Sequence, residues 1–553
     1  MKFVGQCPMG VLLAVLLLCS LFPILHAQIT YDRLLHASDE PRNWLTYSGG
    51  YAGQRYSLLR EVNSTNVKTL EQKWIFQAES LEKFETTPLV VDGIMYITQA
   101  PSDVVALDAQ TGRVFWVYRY VVSTDVRPCC GSVNHGLAIL GDTLFLATLD
   151  AHLVAIDAKG GRPLWNIKVA NASAGYAMTL APLVVKDKVI IGVAGGEFGI
   201  RGFVAAYDAH TGGEVWRTYT VPGPGEPGHE SWQGDAWEHG GGPVWLTGTY
   251  DPNLNLTYWG TGNPGPDWNP AQRPGDNLYS DSVLALDADT GKLKWYFQFT
   301  PNDPYDYDSV QIPVLVDAAW NGAPRKLMLW ANRNGFFYVL DRATGQFLAG
   351  HPFIKVNWAS GLDAKGRPIP TPQPEGAPTF PGVQGGTNWY SPSYSPRTGL
   401  FYVSAWEDYA SVFVKEAQTF EEGRRFVGGR PTSPIPGAQN VPGATRRPPI
   451  NTWTEAAGHG TVIAIDPRTG EKKWKFPMTD TTDSGILTTA TDLLFTGGRE
   501  GYFQALDART GSLLWKATLG GPIVAGPITY QAGGKQFIAI AAGHSLFAFA
   551  LRD

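Results

Sequence analysis

One phrase, repeated along the chain, constrains the fold more than any other feature: x-Ala-apolar-Asp-x-x-Thr-Gly, three further residues, then Trp. It reads Val105–Trp116, Val154–Trp165 (with Gly160 in the Thr position), Ala205–Trp216, Leu284–Trp295, Ile463–Trp474 and Gln504–Trp515. A degenerate copy, Tyr338 to Gly345, has Ala349 where the others have Trp, and Trp74 marks the same position of an eighth. Alternating apolar residues predict a strand, Asp with Gly a tight turn, and Trp the opening of a second strand. Successive marker positions are separated by 42, 49, 51, 79, 54, 125 and 41 residues. A basal period of 40–50 residues, with extra length in two intervals, predicts four-stranded propeller blades. A parallel solenoid usually has a shorter period, and no amphipathic helical run of a dozen residues competes. The expected fold is all-β, a single ring of eight blades.

Of the 553 residues, 44 are basic and 50 acidic, with no basic block, which argues against a nucleic-acid partner. Residues 1–27 have the form of a cleaved export signal. Lys2 is followed by an apolar core at Val11–Leu18, no charge appears until Asp32, and a cleavage site follows Leu25-His26-Ala27. The apolar run, broken at Pro23, is short for a bilayer span. Residues 28–553 are therefore expected as an exported, periplasmic propeller with no membrane span left after cleavage. Cys7 and Cys19 leave with the signal, and the remaining pair, Cys129 and Cys130, are neighbours. An oxidising compartment favours joining them, although Cα atoms about 3.8 Å apart make such a bond strained. Two reduced thiols are the alternative. The sequence contains no Cys-x-x-Cys-His, the attachment motif for covalent haem.

The long intervals 217–294 and 350–473 hold most of the Pro and Gly, and loops of such length are usually functional or disordered. Pro434 to Pro449 reads as a surface excursion without chemistry. In Pro301-Asn-Asp-Pro-Tyr-Asp-Tyr-Asp308, an extended backbone would point Asp306 and Asp308 to one side, where their charges repel unless a cation lies between them. Gly195-Gly196-Glu197 and Gly260-Thr-Gly-Asn263 place an oxygen donor after glycines, which let backbone approach a ligand. Glu197, Asn263, Asp306 and Asp308 would form an all-oxygen set suited to a hard cation. Taken singly, each reads as a turn residue or a solvated acid, and nothing in the spacing brings the four together.

A resemblance supplies that step. Leu180 to Gly192, Gly195 to Asp208, Cys129-Cys130, Trp-Gly-Thr-Gly-Asn263-Pro, Tyr-Asp306-Tyr-Asp308 and Asn332-Arg333-Asn-Gly resemble, in order, the pyrroloquinoline quinone (PQQ)-dependent alcohol dehydrogenases. The likeness covers nearly the whole mature chain and implies an eight-bladed β-propeller of quinoprotein alcohol dehydrogenase type. It implies PQQ held on the axis between the face of Trp245 and a Cys129–Cys130 disulfide. Glu85, Thr179, Arg333 and Asn388 correspond to polar contacts of the cofactor, Gly195 and Gly196 to its close neighbours. Glu197, Asn263 and Asp306 correspond to metal ligands or near neighbours, and Asp306 also to the catalytic base. Asp308 resembles the lanthanide-dependent branch, and its extra negative charge favours a lanthanide(III) over Ca²⁺. The implied reaction oxidises a small alcohol to an aldehyde by hydride transfer to PQQ, with electrons leaving for a separate acceptor such as a c-type cytochrome. The resemblance also allows a homodimer.

Four departures stand out. His135 occupies the place of a cofactor-binding Arg, where it could hydrogen-bond the quinone or be a structural histidine. Pro243 replaces a hydroxyl donor and Ala194 a small polar residue. Asp483 and the short ending from Gly543 stand where relatives often have bulky Trp, which implies a more open and more polar pocket. Two alternatives remain at this level: a non-catalytic propeller scaffold, and a quinoprotein acting on a sugar, a polyol or polyvinyl alcohol.

Overall fold

The computed structural model describes Met1 and residues 29–432 and 457–552. The export signal, Met1 aside, and the Pro434–Pro449 excursion lie outside the described residues. Eight antiparallel four-stranded sheets follow one another along the chain and form the expected blades. The first comprises Leu89–Val91, Ile94–Gln99, Asp103–Asp108 and Val114–Tyr118. The eighth is closed by sequence-distant partners: Leu70–Gln77 pairs antiparallel with Ser545–Leu551 beside Lys535–Ala542 and Ile528–Ala532. Tyr56–Ser57 adds a short parallel strand to the seventh blade. Helix is confined among the described residues to Tyr31–Leu35 and single 3₁₀ turns, and no helix there is long and apolar enough to cross a membrane.

The repeated phrase forms the third strand, turn and fourth strand of a blade. In the first copy, Asp108 accepts hydrogen bonds from the N–H groups of Gln110 and Thr111 at 2.9 and 3.0 Å. Gly112 then takes φ +74°, where a Cβ would lie 2.7 Å from the Trp74 ring of the adjoining blade. Gly161 against Trp116, Gly291 against Trp216 and Gly511 against Trp474 repeat this contact. The Trp indole N–H completes it by donating to a backbone carbonyl of the turn, as in Trp74 to Ala109 at 3.3 Å and Trp116 to Ala158 at 3.2 Å. Most of the phrases are thus latches: the Gly receives one Trp, and the phrase's own Trp enters the next Gly. Where Ala349 replaces Trp, His351 takes the place and packs against Gly470. The Trp does not open its strand as expected. It is the third residue, because pairing slips by one position after the turn, between Ala106 and Leu107 in the first blade.

Alternation of strand direction puts two kinds of connection at the same end of the ring: those between second and third strands, and those leading from one blade to the next. Glu197, Asn263 and Arg333 lie in the first kind. Glu85, Cys129, Cys130, His135, Thr179, Trp245, Asp306, Asp308, Asn388 and Asp483 lie in the second. The Asp-Gly turns occupy the opposite end.

Candidate functional site

Arg333 organises one half of this end. It sits in the tight connection between Ala323–Ala331 and Phe336–Asp341 and is 5% exposed. Its Nη1 donates to Asp308 Oδ2 at 2.7 Å and its Nη2 to Asp306 Oδ2 at 3.2 Å. Nε and Nη2 also donate to the Val383 carbonyl, which fixes the plane of the guanidinium. Gly385 makes this approach possible, since a Cβ there would lie 2.2 Å from Arg333 Cγ. Asp308 Oδ1 accepts the Asn263 backbone N–H at 2.7 Å, and Oδ2 lies 3.3 Å from the Trp245 indole N–H, which donates to it.

The two acids do not converge through the extended backbone expected of residues 301–308. Asp306 has φ +61°, so the segment is not extended there, yet the two carboxylates converge. Arg333 supplies one positive charge to both. Burial pushes the Asp306 carboxyl well above the ordinary range, with Arg333 pulling against it.

Glu197 joins this half from the neighbouring blade. Burial raises its carboxyl, its own backbone N–H opposes the rise, and the Asp308 charge adds to it. The glycines before it serve close backbone packing. A Cβ on Gly195 would lie 2.1 Å from the Gly175 carbonyl oxygen, and one on Gly196 would lie 3.0 Å from Pro243 Cγ and 3.4 Å from Asn263 Oδ1. Pro243, one of the four departures, is therefore a spacer between Gly196 and the Asn263 loop. Ala194 pairs through its backbone with Ala177. Cys129 and Cys130 are joined as a disulfide, and Cys130 Sγ lies 3.8 Å from Glu197 Oε1. These three side chains form a tight group, but sulfurs bonded to each other are not thiolate ligands. A hard cation would instead draw on Glu197, the Asn263 side-chain oxygen, Asp306 and Asp308, donors of all-oxygen chemistry.

The other half is uncharged in character. Thr179 Oγ1 donates to the Trp245 carbonyl at 3.0 Å, and the Thr179 carbonyl accepts the His135 backbone N–H at 2.8 Å. The His135 ring is buried, with its centroid 4.8 Å from that of Trp389, and its Nδ1 has no hydrogen-bond partner among the described residues. Nδ1 lies 3.7 Å from Glu85 Oε2, and Lys83 Nζ lies 3.8 Å from Glu85 Oε1. Desolvation pushes Glu85 up to about 8 and His135 down to about 4, so both are neutral at pH 7. An orphaned buried imidazole nitrogen beside a half-buried Trp face fits a polar aromatic cofactor. Asn388 is not drawn into this chain of contacts. Its Oδ1 accepts the Trp389 N–H at 2.9 Å and its Nδ2 donates to Gln384 at 3.2 Å, so it shapes the loop carrying Trp389. Asp483 forms an ion pair with Arg499, whose guanidinium lies 5.0 Å from the centre of the Trp406 ring.

Sequence reasoning missed Trp389 and the buried acids Asp267, Asp281 and Asp303. Asp303 accepts the N–H groups of Tyr305 and Tyr307 at 2.8 and 2.5 Å and is pushed up to about 6 by burial. Its place two residues before Tyr305 is a turn signal that could have marked it. Trp389 has no such signal.

The fold and this end of the ring define a quinoprotein oxidoreductase scaffold, and comparison with known proteins agrees. The family model described as PQQ, glucose/ethanol/alcohol dehydrogenase, beta-propeller domain, matches residues 44–357 and 359–538. The chain belongs to the PQQ-dependent quinoprotein alcohol dehydrogenases, oxidoreductases acting on CH–OH groups. It is 38% identical over 549 residues to the quinoprotein alcohol dehydrogenase PedH of Pseudomonas putida, covering 94% of this chain and 89% of that one. It is 37% identical over 549 residues to the lanthanide-dependent methanol dehydrogenase of Methylacidiphilum fumariolicum, covering 93% and 86%. A solved europium-containing methanol dehydrogenase superposes with a TM-score of 0.86 at 34% identity, covering 94% of this chain and all of that one. Family membership sets aside the non-catalytic scaffold.

Proposed function

We propose that this protein is an exported alcohol dehydrogenase that oxidises an alcohol to an aldehyde with PQQ and one metal ion, a lanthanide(III) in preference to Ca²⁺. The observation that supports it most is the buried grouping of Arg333 with Asp306 and Asp308 beside Trp245. When bound, PQQ supplies a two-electron hydride acceptor and the metal a Lewis acid. Trp245 offers the floor for the cofactor ring, the Cys129–Cys130 pair its opposite wall, and Glu85, His135 and Thr179 its uncharged polar contacts. Gly195 and Gly196 keep the backbone close to it, and Asn388 holds the loop that carries Trp389. Glu197, Asn263, Asp306 and Asp308 would hold the metal.

Asp306 accepts the alcohol O–H proton at a carboxylate oxygen as hydride leaves the carbon. For this it must be ionised, and Arg333 with the metal charge opposes the effect of burial. Arg333 presents N–H donors where negative charge develops on cofactor oxygens. The electrons then pass to a separate acceptor, for which a c-type cytochrome is the reading, and residues 1–27 direct the chain to the periplasm.

The test is titration of the purified mature protein with PQQ and La³⁺ or Ca²⁺, followed by dye reduction with ethanol. Activity with La³⁺ that disappears in Asp308→Ala supports the reading. Failure of folded, oxidised protein to bind PQQ with either ion refutes it. The Asp483–Arg499 pair favours a second reading of substrate, a polyol. There kcat/KM for glycerol would exceed that for ethanol, and Asp483→Trp would reverse the order.

A further inference from the structure

Among the described residues, Asp267 and Asp281 have both carboxylate oxygens buried without a hydrogen-bond partner. An ionised carboxylate in that condition is costly unless an opposite charge faces it. Asp281 has Arg273 close enough to offset its charge. Arg273 also acts on Asp267, but its guanidinium donates to the Asp267 and Pro266 carbonyls, each at 3.0 Å, and to the Asp303 carbonyl and Asn277 Oδ1, and makes no hydrogen bond to the Asp267 carboxylate.

The location of Asp267, which is 1% exposed, is fixed by backbone. It ends the turn Asn263-Pro-Gly-Pro-Asp267. Gly242 N–H donates to the Asn263 carbonyl at 2.9 Å, and Gly265 N–H donates to Gly240 at 3.0 Å. One residue on, Trp268 N–H donates to Val427 at 3.0 Å, while the adjacent Phe426 N–H donates to Glu197 at 2.7 Å. Neighbouring residues of one segment therefore hold Asp267 and Glu197 side by side. The charges acting on Asp267 include Glu197, Asp308 and Asp306, opposed by Arg273 and by the exposed Arg425, with the Asn263 side chain against it.

We infer that Asp267 is the fourth carboxylate of the metal pocket, placed behind Asn263, and that its charge selects a trivalent over a divalent ion. This rests on the metal site proposed above. Glu197, Asp306 and Asp308 against Arg333 leave two net negative charges, which a divalent ion neutralises. Adding Asp267 leaves three. Coulomb energy scales with ion charge, so removing one carboxylate weakens a trivalent ion half as much again as a divalent one.

The experiment compares Tb³⁺ and Ca²⁺ affinities of the PQQ-loaded protein, by Tb³⁺ luminescence and by competition with Ca²⁺, in wild type and Asp267→Asn. The expected result is at least a tenfold loss in Tb³⁺ affinity, a smaller loss for Ca²⁺, and a higher melting temperature for the metal-free variant. Asp267→Glu and Asp267→Gln form a second pair matched in size: Glu should keep the Tb³⁺/Ca²⁺ ratio and Gln should lower it. An unchanged ratio in Asp267→Asn, or an equal change in Glu and Gln, overturns the inference and leaves the metal site standing. Wild-type protein that binds neither ion overturns both.

Discussion

The two ends of the ring use the same residue type under opposite rules. At the turn end, Asp208 accepts hydrogen bonds from the backbone and hydroxyl of Thr211, three residues away, and these hold its carboxyl below the ordinary range. At the site end, burial drives Asp306, Glu197 and Asp267 upward, and the guanidinium that opposes this on Asp306 comes from a different connection, 27 residues away. A turn Asp is stabilised by its own neighbours in sequence and is partly screened by water. A site Asp depends on groups tens or hundreds of residues away. Mutations at the turn end should therefore change stability alone, whereas mutations at the site end should change chemistry, with stability following only where a buried charge loses its partner.

The largest effect is expected from Asp306→Asn, which removes the proposed base. Dye-linked turnover should fall roughly 10²–10⁴-fold with circular dichroism and melting temperature unchanged or raised. Arg333→Met should follow, costing the metal-free protein about 3–5 kcal/mol in chemical denaturation, because two buried carboxylates lose their shared partner. Added La³⁺ should restore part of this.

The neutral Glu85–His135 pair gives a pH signature. Folded Glu85 keeps its proton to about 8 while the unfolded chain loses it near 4.5, so its contribution falls as pH rises through that window. Folded His135 stays unprotonated down to about 4 against 6.5 unfolded, so its contribution rises with pH and is complete above 6.5. The two oppose each other below 6.5. From there to about 8 Glu85 contributes a fall of roughly 1.4 kcal/mol per pH unit, on top of the fall from the raised acids of the other half. Glu85→Gln should make the fall shallower by that amount in metal-free, cofactor-free protein followed by denaturation midpoint.

At the turn end, Gly161→Ala would press a Cβ to 2.6 Å of the Trp116 ring at φ +69°. It should cost about 1–3 kcal/mol and leave kcat untouched. Cys129→Ser with Cys130→Ser should change stability least, by about 1 kcal/mol or less, because a link between neighbours closes almost no chain. Any loss of activity in that double variant then reports on the cofactor wall. A drop in kcat for Gly161→Ala, or a large stability loss for the cysteine pair, would break the division between the ends.

That division also explains what the sequence disclosed. The phrase from Val105 to Trp116 encodes strand, turn and latch within a dozen residues, so blade number and order could be read directly. Asp306, Asp308, Glu197 and Asn263 could be suspected singly, but only the resemblance gathered them, since their meeting depends on how successive blades pack around the axis. The Arg333 bridge was visible as a motif and not as a partner of both acids. Asp267 gave no signal, because its loop reads as an ordinary Pro-Gly turn. Pro243 looked like a lost donor and proves to be packing for Gly196.

Ring closure has a consequence for the order of events in biogenesis. The strand Leu70–Gln77 waits for Ser545–Leu551, and the Gln77 side chain finds the carbonyl of His544, 467 positions further along the chain. Until the last strand emerges, Leu70–Gln77 has an unpaired edge and the axial loops have no common centre. A chain crossing a membrane from its N-terminus would therefore complete the circle, and the pocket with it, only after the final strand has passed. Cofactor and metal would then be acquired on the far side, by a finished ring.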